Sequence, residues 1–219
     1  MKKAERFQAR CSASMSATST FRLEKSAEAN LPTRFGQFRI YGFQGHFEQR
    51  QEEAAVLVMG DVASGAPPLV RIHSQCLTGD VFHSLRCDCR MQLELAFEKI
   101  AAEGRGVILY EMQEGRGIGL MNKIRAYALQ DEGADTVEAN QRLGFEADLR
   151  NYELAGAILR HLGVTRVRLL SNNPEKIEAL ERAGVKVTER VPCVVPVLGS
   201  TEEYLRTKKE KLGHLIEGF

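Results

Sequence analysis

Residues 71–90 read Arg71-Ile72-His73-Ser74-Gln75-Cys76-Leu77-Thr78-Gly79-Asp80-Val81-Phe82-His83-Ser84-Leu85-Arg86-Cys87-Asp88-Cys89-Arg90. Three of the five cysteines of this 219-residue chain fall here, spaced C-x10-C-x-C. Thiolate is a strong, soft zinc ligand, and the one-residue spacing of Cys87 and Cys89 lets a tight turn aim both sulfurs at one ion. Cys76 returns from upstream, and Gly79 lets the intervening loop turn sharply. A structural zinc site wants four protein ligands, in which case His73 or His83 completes a closed Cys3His set. An open three-cysteine site instead keeps a position for water, whose pKa falls toward neutrality on the metal. Arg71, His73, Ser74, Thr78, Ser84 and Arg86 are more hydrogen-bonding equipment than a structural knuckle requires, which favours the open site.

The same stretch divides the chain into two textures. Upstream, residues 35–43 alternate like a half-buried strand, 54–60 read as a more buried one, and Pro67-Pro68 sets up a third at 69–73. Three closely spaced strands suggest an antiparallel meander or small barrel-like sheet. Downstream the period becomes helical over 91–103, ended by Gly104. A buried strand at 106–112, a glycine-rich turn at 113–119 and helices at 120–131, 137–143 and 152–161 follow. A strand at 167–170, a helix at 174–183, a strand at 185–188 and a charged helix at 201–216 close the chain. Antiparallel-type strands followed by alternating helices and strands around a zinc site predict an α+β, mixed α/β fold.

Residues 1–30 carry Lys2, Lys3, Arg6 and Arg10, then a Ser/Ala/Thr run around Cys11. So few apolar groups cannot offset the entropy of ordering, so a disordered or dispensable tail is expected there, with one catalytic domain over 31–219. Glu5 and Glu24 and a poor amphipathic pattern argue against a transit peptide. With no secretory signal and an odd cysteine count, a cytoplasmic protein with metal-binding rather than bridging thiols is expected; Cys11 and Cys193 read as plain thiols. The formal net charge of +1 gives no global field for nucleic acid, and no apolar run approaches membrane-spanning length, so neither partner is expected.

A second constellation starts at Glu114-Gly115-Arg116-Gly117-Ile118-Gly119. Its glycine spacing fits neither a dinucleotide fingerprint nor a P-loop. A glycine-rich turn opening a helix still presents backbone N–H groups to an anion, and Glu114 can accept from both N1–H and the 2-amino group of a guanine edge. The bland alternative is a surface turn with a local Glu114–Arg116 ion pair. Lys123 and Tyr127 share a helix face four residues apart. Asp148 and Arg150 stand two apart, where Arg150 reads as a phosphate clamp, with Asp148 orienting it or activating water. Ser171-Asn172-Asn173-Pro174 is a strand-to-helix turn, another anion cradle. Lys208, Lys209 and Lys211 read as a solvated helix face.

Four runs carry a resemblance: VRIHSQCLTGDVFHSLRCDCR, GVILYEMQEGRGIGLMNKIRAYALQDEGADTVEANQRLGFEADLRNY, VRLLSNNPEKIEALERAGVKVTERVP and YLRTKKEKLGHL. With these motifs, which are specific to a family rather than to a fold, the chain after about Phe35 resembles GTP cyclohydrolase II, the first committed enzyme of riboflavin synthesis. The resemblance implies zinc on Cys76, Cys87 and Cys89. It implies GTP held by Arg71, Ile72, His73, Ser74, Gln75, Gln92, Glu114, Gly115, Arg116, Thr136, Ser171 and Lys176. It further implies Asp148 as proton acceptor, Arg150 as a nucleophile toward the α-phosphate, Tyr127 beside the purine, Mg2+ on the triphosphate and a homodimer. The implied reaction opens the imidazole of GTP and releases formate and pyrophosphate.

Three positions depart from that family's usual pattern: Gln75 where Glu is frequent, Arg90 where Gly is frequent, and Met112 where Arg is frequent. None is an implied zinc ligand or an implied catalytic residue, so a competent enzyme is expected. Alternatives are a ring-opening enzyme that stops at the formamide and a non-catalytic, zinc-stabilised nucleotide-binding module.

Overall fold

The strand expected at 35–43 runs Gly36–His46 (β2) and pairs antiparallel with Gln51–Met59 (β3), which in turn pairs antiparallel with Gly106–Glu111 (β5). Leu69–Ser74 (β4) lies parallel between β5 and Arg166–Leu170 (β6), and Lys186–Val191 (β7) extends the sheet parallel to β6. An antiparallel meander therefore runs into a parallel half, as the mixed α/β expectation required. These contacts come from a computed structural model that describes residues 21–48, 50–196, 199 and 202–216.

Parallel neighbours need crossovers, and helices supply them. Cys89–Glu103 (α2) joins β4 to β5, and Pro174–Arg182 (α6) joins β6 to β7. The longer link from β5 to β6 carries Leu120–Asp131 (α3), Thr136–Arg142 (α4) and Glu153–His161 (α5). The short Leu77–Asp80 (α1) follows β4, and Glu202–Leu212 (α7) is the last helix described. Both faces of the sheet are covered, so the central strands are mostly apolar, with Arg71 and His73 of β4 and Glu111 of β5 the buried polar exceptions. Val56, Ile72, Leu109 and Leu169 meet Leu154, Ile158 and Leu180 on one face; Leu57, Leu69, Ile108 and Leu170 meet Ala96 and Ile100 on the other. Among the described residues no helix is long and apolar enough to cross a membrane.

Two sequence expectations need correction here. Arg22–Thr33 (β1) is a strand paired with β2 along its length, so the boundary of the expected tail at residue 30 is wrong; residues 1–20, with Cys11, lie outside those described. Its outward residues are charged and its apolar ones few, so pattern reading finds nothing to bury. The ladder to β2 and the ion pairs of Glu28 with Lys25 and Arg39 hold it instead, as suits an edge strand. Lys208, assigned to a solvated face, is buried and ion-paired to Asp88 at 2.9 Å.

Candidate active site

β4 delivers the chain into the cysteine loop at the carboxyl end of the sheet. Cys76 precedes α1, and Cys87 and Cys89 flank the start of α2. The Sγ atoms of Cys76 and Cys87 are 3.6 Å apart, and all three sulfurs lie within 4.8 Å of one another. Tetrahedral zinc with bonds of about 2.3 Å puts neighbouring sulfurs about 3.8 Å apart, so the spacing fits that ion. Gly79 explains how the loop closes so tightly: a Cβ there would sit 2.8 Å from Cys87 Sγ and 3.1 Å from Cys76 Sγ.

Asp80 organises this turn. Its carboxylate accepts from the Cys76 N–H (3.0 Å) and the Tyr110 hydroxyl (2.7 Å), and it lies 3.1 Å from His73 Nε2. His73 is thus committed to Asp80, and burial holds its pKa below the ordinary histidine value. His83 is exposed, with φ +58°. Among the described residues the metal-capable group is the three cysteines alone, which favours the open site over the closed Cys3His alternative.

Lys123 Nζ lies 3.1 Å from Cys76 Sγ and donates to Glu114 at 2.7 Å. Burial opposes its charge, yet the Cys76 thiolate and the Glu114 carboxylate outweigh that and hold its pKa above the ordinary lysine value. Glu114 also accepts from the N–H groups of Leu77 (2.6 Å) and Gly115 (2.9 Å), so here it ties the glycine turn to the metal loop. The ion pair imagined between Glu114 and Arg116 does not form. Gly115 and Arg116 both take left-handed backbone angles, and both Nη atoms of Arg116 are buried without a hydrogen-bond partner among the described residues. Tyr127, on α3 as expected, shares a 3.0 Å hydrogen bond with Thr78.

The other end of the cleft is cationic. Arg71 donates to the Leu170 carbonyl (3.1 Å) and to Gln92 (2.7 Å). Lys176 donates to the Ile72 carbonyl (2.8 Å). Arg150 grips the Asp148 carboxylate through Nε at 2.8 and 3.1 Å and again through Nη2. Burial opposes charge on both partners, but the pairing wins, holding Asp148 below and Arg150 above their ordinary values. Asn173 caps α6 by accepting from the Glu175 N–H, and Pro174 takes the first turn.

These groups face one cleft enclosing about 1100 Å³, part of it open to solvent. Every residue implied to bind zinc or GTP or to act in catalysis lines it except Ile72, whose side chain is in the core, and Asp148, which stands behind Arg150. Of the three departures, Gln75 lines the cleft, whereas Arg90 turns to Glu94 and the Asp80 carbonyl, and Met112 is exposed. Sequence reading missed the contribution of α7, whose Tyr204, Lys208 and Leu212 line the cleft. Their four-residue spacing was the available signal, masked by the surrounding lysines. Asp88, between two cysteines, holds Lys208 in place.

Comparison with known proteins points to one family. A family model described as GTP cyclohydrolase II matches residues 24–192. A GTP cyclohydrolase-2 from Azotobacter vinelandii is 57% identical over 190 residues, covering 87% of this chain and 90% of its own. One from Actinobacillus succinogenes is 55% identical over 195 residues, covering 89% of each chain. One from Escherichia coli is 54% identical over 198 residues, covering 89% of this chain and 98% of its own.

Proposed function

This chain belongs to the GTP cyclohydrolase II family, and on that premise we propose how its cleft acts on GTP. The reaction opens the imidazole ring, releasing formate and pyrophosphate and leaving 2,5-diamino-6-ribosylamino-4(3H)-pyrimidinone 5′-phosphate for riboflavin biosynthesis. The observation that carries the residue assignment is the polarity of one cleft: three clustered thiols at one end, buried guanidinium and ammonium groups at the other.

Cys76, Cys87 and Cys89 would hold zinc, which would supply Lewis-acid chemistry and an activated water. Tyr127, anchored by Thr78, stands next to the thiols and positions the ring. Lys123 compensates the thiolate charge, so the site remains near neutral for an anionic substrate. Arg71, Arg116, Arg150 and Lys176 take the triphosphate, and Mg2+ accompanying the substrate would neutralise part of its charge. Glu114 reads the guanine edge only by releasing some of its present donors.

For Arg150 the geometry supports a clamp over a nucleophile. A guanidinium gripped by Asp148 and held above its usual pKa keeps its proton and lacks a free lone pair. Asp148 then orients the clamp rather than accepting a proton. A guanylylated enzyme whose adduct maps to Arg150 would overturn this assignment. A homodimer in the cytoplasm, with residues 22 onward as one catalytic domain, completes the proposal, and light scattering of the purified protein tests the dimer. The decisive assay incubates zinc-loaded protein with GTP and follows formate and the diaminopyrimidine product. Absence of formate at every metal loading sinks the reading.

A further inference from the structure

Asp88 breaks a local rule. It stands at the N-cap of α2, where an aspartate ordinarily accepts from the first N–H groups of the helix, yet its side chain makes no such bond. One carboxylate oxygen accepts from Gln92 Nε2 (2.5 Å) and the other from Lys208 Nζ (2.9 Å), and Asp88 and Lys208 are both buried. Stability is a weak reason to keep such a pair, because desolvating two charges offsets much of their attraction. An aspartate that leaves its helix uncapped in order to hold an ammonium points instead to what the ammonium does.

Lys208 lies on α7, beyond the residues 24–192 that the family model matches, and none of the residues implied to bind GTP is on that helix. Tyr204, Lys208 and Leu212 follow one another at one-turn spacing, and all three line the cleft together with His214. Tyr204 is within electrostatic reach of Cys87, Cys89 and Arg116, whereas His214 is within reach of Arg116, Arg150 and Lys176. α7 therefore runs along the cleft from its thiol end toward its cationic end, with Lys208 on the way. Lys176 in turn feels the charges of Arg71, Arg150 and Lys208 together. The Lys208 ammonium is 4.4 Å from the centre of the Tyr204 ring and gives one of its three donors to Asp88. An ammonium placed in this way among other cations suits a phosphate oxygen, which it meets as a point charge.

We propose that Lys208 is a polyphosphate-binding residue of this cleft, held at its wall by Asp88. It rests on the reading of the cleft as a triphosphate site, and it adds a cation from the C-terminal helix to those at the sheet rim. Gln92, which donates to the same Asp88 carboxylate, accepts from Arg71 Nη2 at 2.7 Å. One carboxylate thus orders Lys208 directly and Arg71 through Gln92.

The test measures binding of inorganic tripolyphosphate to the full-length zinc-loaded protein by calorimetry, below the Tm of every variant, so neither guanine contacts nor turnover enter. Lys208→Met keeps the reach of the side chain without its charge, and its affinity falls on the order of tenfold. That variant strands Asp88 and loses Tm. The deciding protein is therefore Lys208→Met combined with Asp88→Asn, which leaves the net charge unchanged and strands no partner. Its Tm returns toward the wild-type value while its affinity stays well below wild type. Lys208→Arg, which keeps a cation there, recovers most of the binding. A double variant that binds as tightly as the wild type would show that Lys208 only ties α7 to the metal loop, and the inference falls. Lys208→Arg binding as weakly as Lys208→Met overturns it equally. Wild-type protein that binds no tripolyphosphate removes the triphosphate reading, and this inference with it; normal wild-type binding with an unaffected double variant removes the inference alone.

Discussion

A methyl group on Gly79 would enter the space between two thiols, 2.8 Å from Cys87 Sγ and 3.1 Å from Cys76 Sγ. Gly79→Ala therefore pushes the sulfurs apart rather than straining the backbone, whose φ at this position is not in the left-handed region. The expected outcome is a folded protein that retains well under one zinc per chain and loses formate release in proportion, checked by metal analysis against circular dichroism. Glu111 makes a second residue-scale case through stability. Its folded pKa of about 8 lies above the ordinary 4.5, so the native state binds the extra proton between those values. Stability is lost as pH rises across that window and is flat above it. Glu111→Leu removes this slope, so its Tm advantage over the wild type grows from pH 5 toward about 8; a constant difference in Tm would contradict the raised pKa. The cysteines were legible in sequence because clustered thiols have few other uses in a chain of this composition. Glu111 was not, since a Glu between Tyr110 and Met112 looks like any strand end until its burial is known.

At the scale of elements, the strands and helices with a strong apolar period appear where pattern predicts them, and the failures lie where tertiary contacts override pattern. β1 carries few large apolar residues and is held by a ladder, which periodicity cannot register. The C-terminal helix α7 reads as solvated because its charged residues outnumber its apolar ones, yet Lys208 turns inward to Asp88. That pair ties the last helix to the loop that carries two thiols. Burial raises the Asp88 pKa and Lys208 lowers it further, leaving a net depression. The pair therefore contributes stability above the ordinary carboxyl pKa of 3.8, lost as pH falls through the depressed value. Removing one partner leaves an uncompensated buried charge, which costs on the order of 3 kcal/mol. Lys208→Ala is expected to lower Tm and to raise the KM for GTP, because Tyr204 and Leu212 lose their seat on the cleft. Lys208→Ala together with Asp88→Asn recovers much of the Tm, since no charge is then stranded; a double variant no more stable than the single would show that the pair is not the tie.

For the whole molecule, the sheet order explains why residues so far apart in sequence converge. β4, β5 and β6 lie side by side and parallel, so Ser74, Glu111 and Leu170 end at one rim. α2 crosses one face and α5 and α6 cover the other, so the connections diverge at this rim and open a crevice beyond the strand ends. The Arg71–Gln75, Glu114–Arg116 and Ser171–Lys176 groups all follow from that one topological fact, which motif spacing alone could not supply. The same topology separates the three thiols from the cores: neither the Phe43–Val185 cluster nor the Phe38–Cys193 cluster includes a member of the cysteine trio. Chelation should therefore abolish formate release while the sheet persists, with far-ultraviolet dichroism nearly unchanged and proteolysis first cutting the exposed Val81–Leu85 side of the metal loop. A structural zinc makes the opposite forecast, because its binding free energy would be folding free energy and its loss would unfold the chain. Cooperative unfolding on chelation would return the three thiols to the structural role that their geometry argues against.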